Sequence, residues 1–244
     1  LSTVDFMDWL LEKKNKVKHC ITPIPFSELE NWSFNPTTGN LTHYSGQFFS
    51  IEGIKVKTNW GVVANWTQPI INQPEIGFLG IITKKIDGIL YFLMQAKIEP
   101  GNINVVQLSP TLQATKSNYT QVHKGNIPLY LEYFFGKRDD VDILLDQFQS
   151  EQGARFLKKR NRNIIIEVFS DIEVKEDFCW LTLGQIKQLL TFDNVVNMDT
   201  RTVISGIPYG NLDTLKAIKN VKQNSYEKAL LLSELADNNA LHSI

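Results

Sequence analysis

The chain has 244 residues, 43% hydrophobic and 21% charged, a composition typical of a soluble globular protein long enough to bury a core. Its formal net charge of −1 provides no overall field to attract nucleic acid or an anionic membrane surface, so we expect neither as a partner. No apolar run reaches the length of a membrane-spanning helix. Two cysteines, Cys20 and Cys179, are too few for a disulfide scaffold, which favours a cytoplasmic protein with both thiols reduced and buried.

The first third of the chain predicts one helix followed by strands. Ser2-x-x-Asp5 is a capping-box pattern before an apolar helical face, and it predicts an N-terminal helix. From about residue 32 to 113 the pattern indicates β-structure. Gly39-Asn40 suits a tight turn, while Glu52-Gly53 and Asp87-Gly88 each predict the turn of a β-hairpin. The sheet is therefore expected to be at least partly antiparallel.

The second half predicts helices around a further strand. Four apolar residues at spacing i, i+3, i+4 and i+7 indicate an amphipathic helix: Val141, Leu144, Leu145 and Phe148. The run 163–169, centred on three isoleucines, predicts a strand, and Thr182-x-x-Gln185 predicts the start of another helix. A last helix is expected over 226–235. The fold class predicted from this order is α+β.

Polar side chains are concentrated where a predicted strand leaves the core. Residues 95–102 read QAKIEPGN and residues 107–119 read QLSPTLQATKSNY. Pro100-Gly101 predicts a turn after Glu99, and Pro110 predicts a break in the following strand. So many hydrogen-bonding groups suit a ligand rich in hydroxyl, carbonyl and phosphate oxygens better than they suit a buried core.

These two segments, with His123-x-Gly125, resemble the NDP-hexose 2,3-dehydratases of deoxysugar biosynthesis. Three flanking segments agree: WTQP at 66–69, QPEIG at 73–77 and NMDTR at 197–201. The resemblance extends from about Trp32 to Pro208. It implies a Nudix-like, mixed and largely antiparallel β-sheet with flanking helices, and an elimination that uses neither metal nor cofactor. The expected substrate is a dTDP-4-keto-6-deoxyhexose, and the product a 3,4-diketo-2,6-dideoxy sugar nucleotide.

The resemblance also implies a domain organisation. We expect a helical segment at 1–25, the dehydratase module at 26–210 and a helical tail at 211–244. Members of the family usually carry two homologous modules in tandem, and this chain resembles the N-terminal one. We therefore expect it to form a homodimer or to pair with a second module. Lys116 stands where arginine is more usual, which keeps the positive charge but loses the bidentate fork.

The chemistry assigns roles to the motif residues. A base must remove the C3 proton next to the C4 ketone, an acid must protonate the departing 2-hydroxyl, and donors must stabilise the enolate. Glu99 and His123 are the candidate base and acid, in either order, with Tyr119 as a reserve acid and Lys97 beside the enolate. Lys116 and Arg201 are expected to bind the diphosphate. The remaining candidates for contacts to sugar and thymine are Trp66, Gln95, Asn102, Gln107, Ser109, Thr111, Gln113, Thr115, Ser117 and Asn118.

Structural alternatives accompany several of these roles. Arg201 is equally compatible with pairing to Asp199 or to a helix C-terminus. Trp66 is compatible with a core position, which is also the prediction for Trp60. Five basic residues between 155 and 162 are compatible with RNA binding, although a basic loop opening a strand is the commoner cause.

Two alternative functions stay open at the level of sequence. One is a binding module that retains the nucleotide-sugar pocket and needs a second module for turnover. The other is a 4-keto-sugar isomerase, since removal of the C3 proton is common to both reactions.

Overall fold

The computed structural model describes residues 2–115 and 127–208. Most of these residues form a compact unit that ends at Ile204, and Ser205 begins a second unit. The helix predicted at 226–235 and the boundary predicted at residue 211 lie outside the described residues. Among the described helices, none is long and apolar enough to cross a membrane.

The described secondary structure comprises three α-helices, two short 3-10 turns and eleven strands. The helices are α1 (Thr3–Lys16), α2 (Leu183–Leu189) and α3 (Met198–Ser205), and the 3-10 turns are Phe26–Glu28 and Leu131–Tyr133. The strands are β1 (Trp32–Phe34), β2 (Leu41–His43), β3 (Ser50–Lys57), β4 (Asn65–Asn72), β5 (Gly77–Ile86), β6 (Ile89–Ile98), β7 (Val106–Ser109), β8 (Leu112–Ala114), β9 (Val141–Ser150), β10 (Arg160–Val168) and β11 (Phe178–Thr182).

Strands β1 to β4 form an antiparallel four-stranded sheet in sequence order. The tight turn at Gly39-Asn40 is confirmed, because Gly39 has a φ of 71° between β1 and β2. The hairpin predicted at Glu52-Gly53 is wrong. β3 is continuous through both residues, and Gly53 lies opposite Pro69 of β4. A glycine can occupy an extended strand as readily as a turn, and here the neighbouring strand decides.

The larger sheet has seven strands, five of them in the order β11-β6-β5-β10-β9, with β7 added to β6 and β8 to β5. Only β5 and β10 run parallel within it. The hairpin at Asp87-Gly88 is confirmed, since both residues have positive φ, as a two-residue β-turn of this type requires. The α+β class with a mixed, largely antiparallel sheet is thus confirmed.

The amphipathic helix predicted around Val141 and Phe148 is wrong, because these residues belong to strand β9. The pairing of β9 with β10 contains a bulge. Ile165 faces Leu145, the next residue of β10 faces Ile143, and Leu144 is left between them. A bulge inserts one residue into the two-residue period of a strand. As a result, the apolar residues of β9 are spaced at i, i+3, i+4 and i+7, which is also the spacing of an amphipathic helix.

Both predicted capping boxes are confirmed. At the start of α1, Ser2 accepts from the backbone of Asp5, whose carboxylate accepts from the Ser2 backbone. Thr182 and Gln185 make the equivalent reciprocal pair at α2. Helix α1 buries Phe6 completely, and its Thr3 hydroxyl donates to Gln188 Oε1 at 2.9 Å.

Two predictions about buried side chains fail. Trp60 is 86% exposed and is not a core residue, because it lies in the loop between β3 and β4. Both cysteines are free, but Cys20 is exposed and only Cys179 is buried, on β11. Burial raises the pKa of the Cys179 thiol to about 12.

Candidate functional site

The site is built where strands β5 and β6 separate. They pair directly from their connecting turn as far as Ile82 and Leu93. Beyond that point β8 pairs with β5 and β7 pairs with β6. Pro110 lies between β7 and β8, so the predicted break in the strand is confirmed.

We call the point where β5 and β6 separate the fork, and Thr111 holds it together. Its Oγ1 accepts a hydrogen bond from the Ile82 backbone N–H at 2.9 Å and donates one to the Leu93 carbonyl. The residue is only 2% exposed. The Thr111 hydroxyl therefore replaces the ladder contact that the separating strands lose, and the structure gives it a structural role.

A cleft of about 290 Å³ opens beside the fork. Its polar lining combines residues from β6, β8, β10, α3 and the segments next to them. The lining residues are Gln73, Gly77, Leu79, Lys97, Glu99, Gln113, Ala114, Thr115, Glu151, Phe156, Lys159, Asn161 and Asp199.

Glu99 lies at one wall of the cleft, directly after β6. The predicted turn at Pro100-Gly101 is confirmed, since the Asn102 N–H donates to the Glu99 carbonyl at 3.0 Å. The Glu99 carboxylate accepts a 2.7 Å hydrogen bond from Gln113 Nε2. Gln113 Oε1 in turn accepts from Ser109 Oγ and Asn197 Nδ2, each at 3.3 Å. Its three neighbours thus fix the orientation of the Gln113 amide.

The charged groups of this wall interact with one another. Lys97 Nζ lies 3.8 Å from Glu99 Oε1. Burial lowers the pKa of Lys97, while the charges of Glu99 and Asp199 oppose that shift. The pKa of Asp199 is raised to about 6, chiefly by burial and further by the negative charges of Glu99 and Glu151. The positive charge of Lys97 acts in the opposite direction. A carboxyl group with this pKa exchanges protons near neutral pH.

The opposite wall is built on close packing between β5 and β10. Gly77 faces Asn161 across the parallel pair, and a Cβ at Gly77 would overlap the Asn161 amide oxygen. Asn161 Nδ2 donates to Glu151 Oε1 at 2.6 Å. Buried Lys159 donates to the Glu75 carbonyl, and burial lowers its pKa. Only glycine lets the Asn161 side chain lie this close to the strand.

The basic segment at 155–162 is largely engaged within the fold. Besides Lys159, Arg160 lies over the Phe148 ring at 4.7 Å. Arg162 makes two hydrogen bonds of 2.7 and 2.6 Å to Asp146. These contacts favour the basic-loop interpretation over RNA binding.

Four of the predicted site residues line the cleft: Lys97, Glu99, Gln113 and Thr115. Two others bond to the loop between β6 and β7: Asn102 Nδ2 donates to the Val105 carbonyl, and Gln107 of β7 donates through Nε2 to Asn104 Oδ1.

Three further candidates lie in strands. Ser109 is fully buried beneath the cleft and pairs with Gln95 across β6 and β7. Trp66 lies in the other sheet, on β4. It is 39% exposed, and its indole N–H donates to Gln68 Oε1 at 2.7 Å.

Arg201 does not pair with Asp199. Its Nε donates to the Val196 carbonyl at 3.2 Å and one terminal nitrogen donates to the Leu190 carbonyl at 3.4 Å, at the C-terminal end of α2. This is the helix C-terminus contact named among the alternatives. Five other predicted residues lie outside the described residues: Lys116, Ser117, Asn118, Tyr119 and His123.

The sequence reasoning missed Asp199 as a cleft residue. Asp199 and Arg201 both belong to the NMDTR motif, and Arg201 was the predicted ligand because its charge is permanent. In an α-helix, residues two positions apart point about 200° away from each other, so only one of the two can face the cleft. Within the residues that the structure describes, no group of three or more His, Cys, Asp or Glu side chains is arranged to hold a metal ion.

Sequence comparison identifies relatives over most of the chain. The family model for NDP-hexose 2,3-dehydratases matches residues 3–207. A dTDP-4-dehydro-6-deoxy-alpha-D-glucopyranose 2,3-dehydratase from Saccharopolyspora spinosa is 53% identical over 209 residues, which are 86% of this chain and 43% of the relative. One of the same name from Amycolatopsis orientalis is 45% identical, over 93% of this chain and 49% of the relative. The chain spans about half the length of the curated relatives it matches.

Comparison with solved structures finds weaker similarity. An ADP compounds hydrolase covers 71% of this chain and 89% of its own, with 14% identity and a TM-score of 0.41. A Nudix hydrolase from M. smegmatis covers 65% of this chain and 98% of its own, with 11% identity and a TM-score of 0.35. The assignment to a family accordingly depends on the sequence comparison.

Proposed function

The chain belongs to the NDP-hexose 2,3-dehydratase family, and we propose that it eliminates the C2 hydroxyl of a dTDP-4-keto-6-deoxyhexose as water. The product is a 3,4-diketo-2,6-dideoxy sugar nucleotide. One observation carries the proposal beyond the family assignment: Gln113 orients the Glu99 carboxylate next to Lys97 in an open cleft. The reaction needs a positioned proton-transfer group and a cation near the developing oxyanion, and this wall offers both.

The elimination itself requires neither a hydride carrier nor a metal ion. The C4 ketone acidifies the C3 hydrogen, and the electrons released at C3 expel the C2 hydroxyl. Lys97 is positioned to stabilise negative charge on the C4 oxygen. Since three carboxylates line the cleft, we place the reacting sugar there and the diphosphate outside it.

The remaining roles extend the proposal to motif residues beyond the described cleft. His123 is the partner of Glu99 in proton transfer, with Tyr119 as the reserve acid. Lys116 is the proposed diphosphate ligand, and Ser117 and Asn118 are proposed contacts to the sugar or thymine. We also propose a cytoplasmic enzyme that forms a homodimer or pairs with a second homologous module.

Incubation with dTDP-4-keto-6-deoxyglucose and a trapping reductase tests the function by mass spectrometry. The expected product has lost one water and gained two hydrogens from the reductase. Its amount should be strongly reduced in Glu99→Gln and unchanged in Glu28→Gln, a control at an exposed glutamate of a 3-10 turn. Solvent deuterium at C3 with the 2-hydroxyl retained would instead identify an isomerase.

The half-length match to the relatives favours one second candidate, a binding module that needs another module for turnover. Its signature is dTDP binding without water loss, followed by turnover when a C-terminal module is supplied. Turnover by the chain alone would exclude it.

A further inference from the structure

Asp199 is one of two cleft carboxylates, with Glu151, to which the family motifs assign no role. It lies in the first turn of α3 and lines the same cleft as Lys97 and Glu99. Its charge interacts with both residues, so the three groups form one electrostatic cluster. Among the described residues, no hydrogen bond to the Asp199 side chain accompanies these charge interactions.

We propose that Asp199, in place of Glu99, is the general base that removes the C3 proton of the sugar, while Glu99 is a carboxylate held beside Lys97 by the Gln113 amide. This inference rests on the proposed dehydration and assigns one of its proton-transfer steps.

The hydrogen bonds of the two carboxylates differ in a way that supports this division. Glu99 Oε1 accepts the Gln113 amide at 2.7 Å and lies near the Lys97 ammonium. Both contacts are made by the same oxygen, so Glu99 Oε1 is already engaged by donors of the protein. Asp199 has no such donor among the described residues. Its environment also raises its pKa to about 6, so that it is mainly ionised at neutral pH yet accepts a proton readily.

The step balances without a further reactant. The C3–H bond breaks, its proton passes to Asp199, and its electron pair forms the C3–C4 double bond of an enolate whose oxygen is negative beside Lys97. As the C4 carbonyl re-forms, the electrons move to form the C2–C3 double bond and the C2–O bond breaks. The departing hydroxyl takes a proton from His123, with Tyr119 as the reserve acid, and leaves as water. The resulting enol at C3 tautomerises to the ketone.

The protonation of Asp199 depends on charges from several elements around it. Lys97 and Glu99 face it from the end of β6, and Glu151 faces it from the segment after β9. Lys159, just before β10, lines the same cleft. Glu99 and Glu151 favour the protonated form of Asp199, and Lys97 favours its anion. Removal of Lys97 must therefore move the Asp199 titration to higher pH.

The test compares kcat and KM for dTDP-4-keto-6-deoxyglucose in four proteins: the unaltered chain, Asp199→Asn, Asp199→Glu and the exposed control Asp142→Asn. Loss of a general base lowers turnover by about 10²–10⁴-fold. We expect a loss of that order in kcat for Asp199→Asn, with KM and the Kd for dTDP within about twofold, partial activity in Asp199→Glu and none of these effects in the control. Retention of most of kcat in Asp199→Asn would overturn the assignment.

The pH dependence of kcat/KM tests the role as a base, because a purely structural role of Asp199 would not determine the pH at which activity falls. We expect an acidic limb of kcat/KM near pH 6, displaced to higher pH in Lys97→Met even though that variant is slower. A limb unaffected by Lys97→Met would contradict the assignment.

Failure of the inference can be separated from failure of the proposed function. Loss of water by the unaltered chain, together with an active Asp199→Asn variant, would reject the base alone. If no water is lost, the same incubations in D₂O report C3 exchange. Exchange that disappears in Asp199→Asn supports the base without the dehydration, whereas absence of exchange in the unaltered chain rejects both.

Discussion

Gln113 donates its side-chain N–H to Glu99 across the cleft wall, and its own oxygen accepts from Ser109 and Asn197. The amide links β8, the end of β7 and the start of α3 to one carboxylate. Through this link, the orientation of Glu99 depends on how three separate parts of the fold pack.

Gln113→Leu removes both functions of the amide while keeping a similar volume. We expect kcat to fall by about 10²-fold, since misplacement of a reacting group by about 1 Å has effects of that size. Steady-state kinetics provides the measurement. Gln47→Leu, the same change at an exposed glutamine outside the cleft, is the matched control, and equal kcat losses in the two variants would contradict a specific role for Gln113.

Thr111→Val tests the fork between β5 and β6. The Ile82 N–H and the Leu93 carbonyl would each lose a partner in a buried position. An unsatisfied buried group costs about 1–3 kcal/mol, so we expect a loss of that order in the free energy of unfolding. Thr111→Ser keeps the hydroxyl and should lose clearly less. Denaturant unfolding of both variants makes the comparison, and a loss in Thr111→Val no larger than that in Thr111→Ser would contradict the role of the hydroxyl.

Gly80→Ala tests the packing of the segment after residue 127 on the sheet. A Cβ at Gly80 would lie 2.5 Å from the Phe134 ring, in the main core. Overpacking of this kind costs about 1–3 kcal/mol. Gly53→Ala is the control, because its Cβ would meet no atom within 4 Å in a strand of the other sheet. Chemical denaturation should separate the two, and similar stabilities would argue that Phe134 adjusts freely.

Asp199→Asn should stabilise the protein in a pH-dependent manner. The folded-state pKa of about 6 exceeds the ordinary value of 3.8, so the folded state binds the proton more tightly than the unfolded chain does. Ionised Asp199 therefore reduces stability fully above pH 6, and the reduction disappears as the pH falls below about 4. Thermal unfolding should show a higher Tm for the variant at pH 7.5 and equal values at pH 3.5. A constant difference across this range would contradict the raised pKa.

Arg201→Met distinguishes the two interpretations of that residue. The guanidinium donates to carbonyls at the end of α2, and a hydrogen bond from a charged donor contributes about 1.5–3 kcal/mol. We expect a lower free energy of unfolding with an unchanged Kd for dTDP by calorimetry. A tenfold weaker Kd at unchanged stability would restore the diphosphate role.

The sequence predicted those features that depend on short local patterns. Both capping boxes, the Asp87-Gly88 hairpin and the turn after Glu99 are set by residues within a few positions of one another. The strand β9 was missed because a bulge at Leu144 altered its period, and bulges depend on the partner strand. The Glu52-Gly53 turn failed for the same reason, since β4 determines the course of β3.

Prediction of the site had a similar limit. The motif led directly to Lys97, Glu99, Gln113 and Thr115, which the fold brings together in the cleft. It could not separate them from Thr111, whose hydroxyl is just as polar but is used inside the sheet. Asp199 comes from a helix about one hundred residues further along the chain, and only the tertiary structure shows which face of that helix meets the cleft.

The fork at Thr111 has a consequence for attempts to engineer the protein. The nine residues from Val106 to Ala114 hold two strands in register and also contribute Gln113 to the cleft. Randomising this segment to obtain a new sugar preference would mix changes of specificity with losses of folded protein, and many library members would be discarded for the wrong reason. Gln73, which lines the same cleft from the segment between β4 and β5, lies outside the fork and is the better place to begin a search for altered specificity.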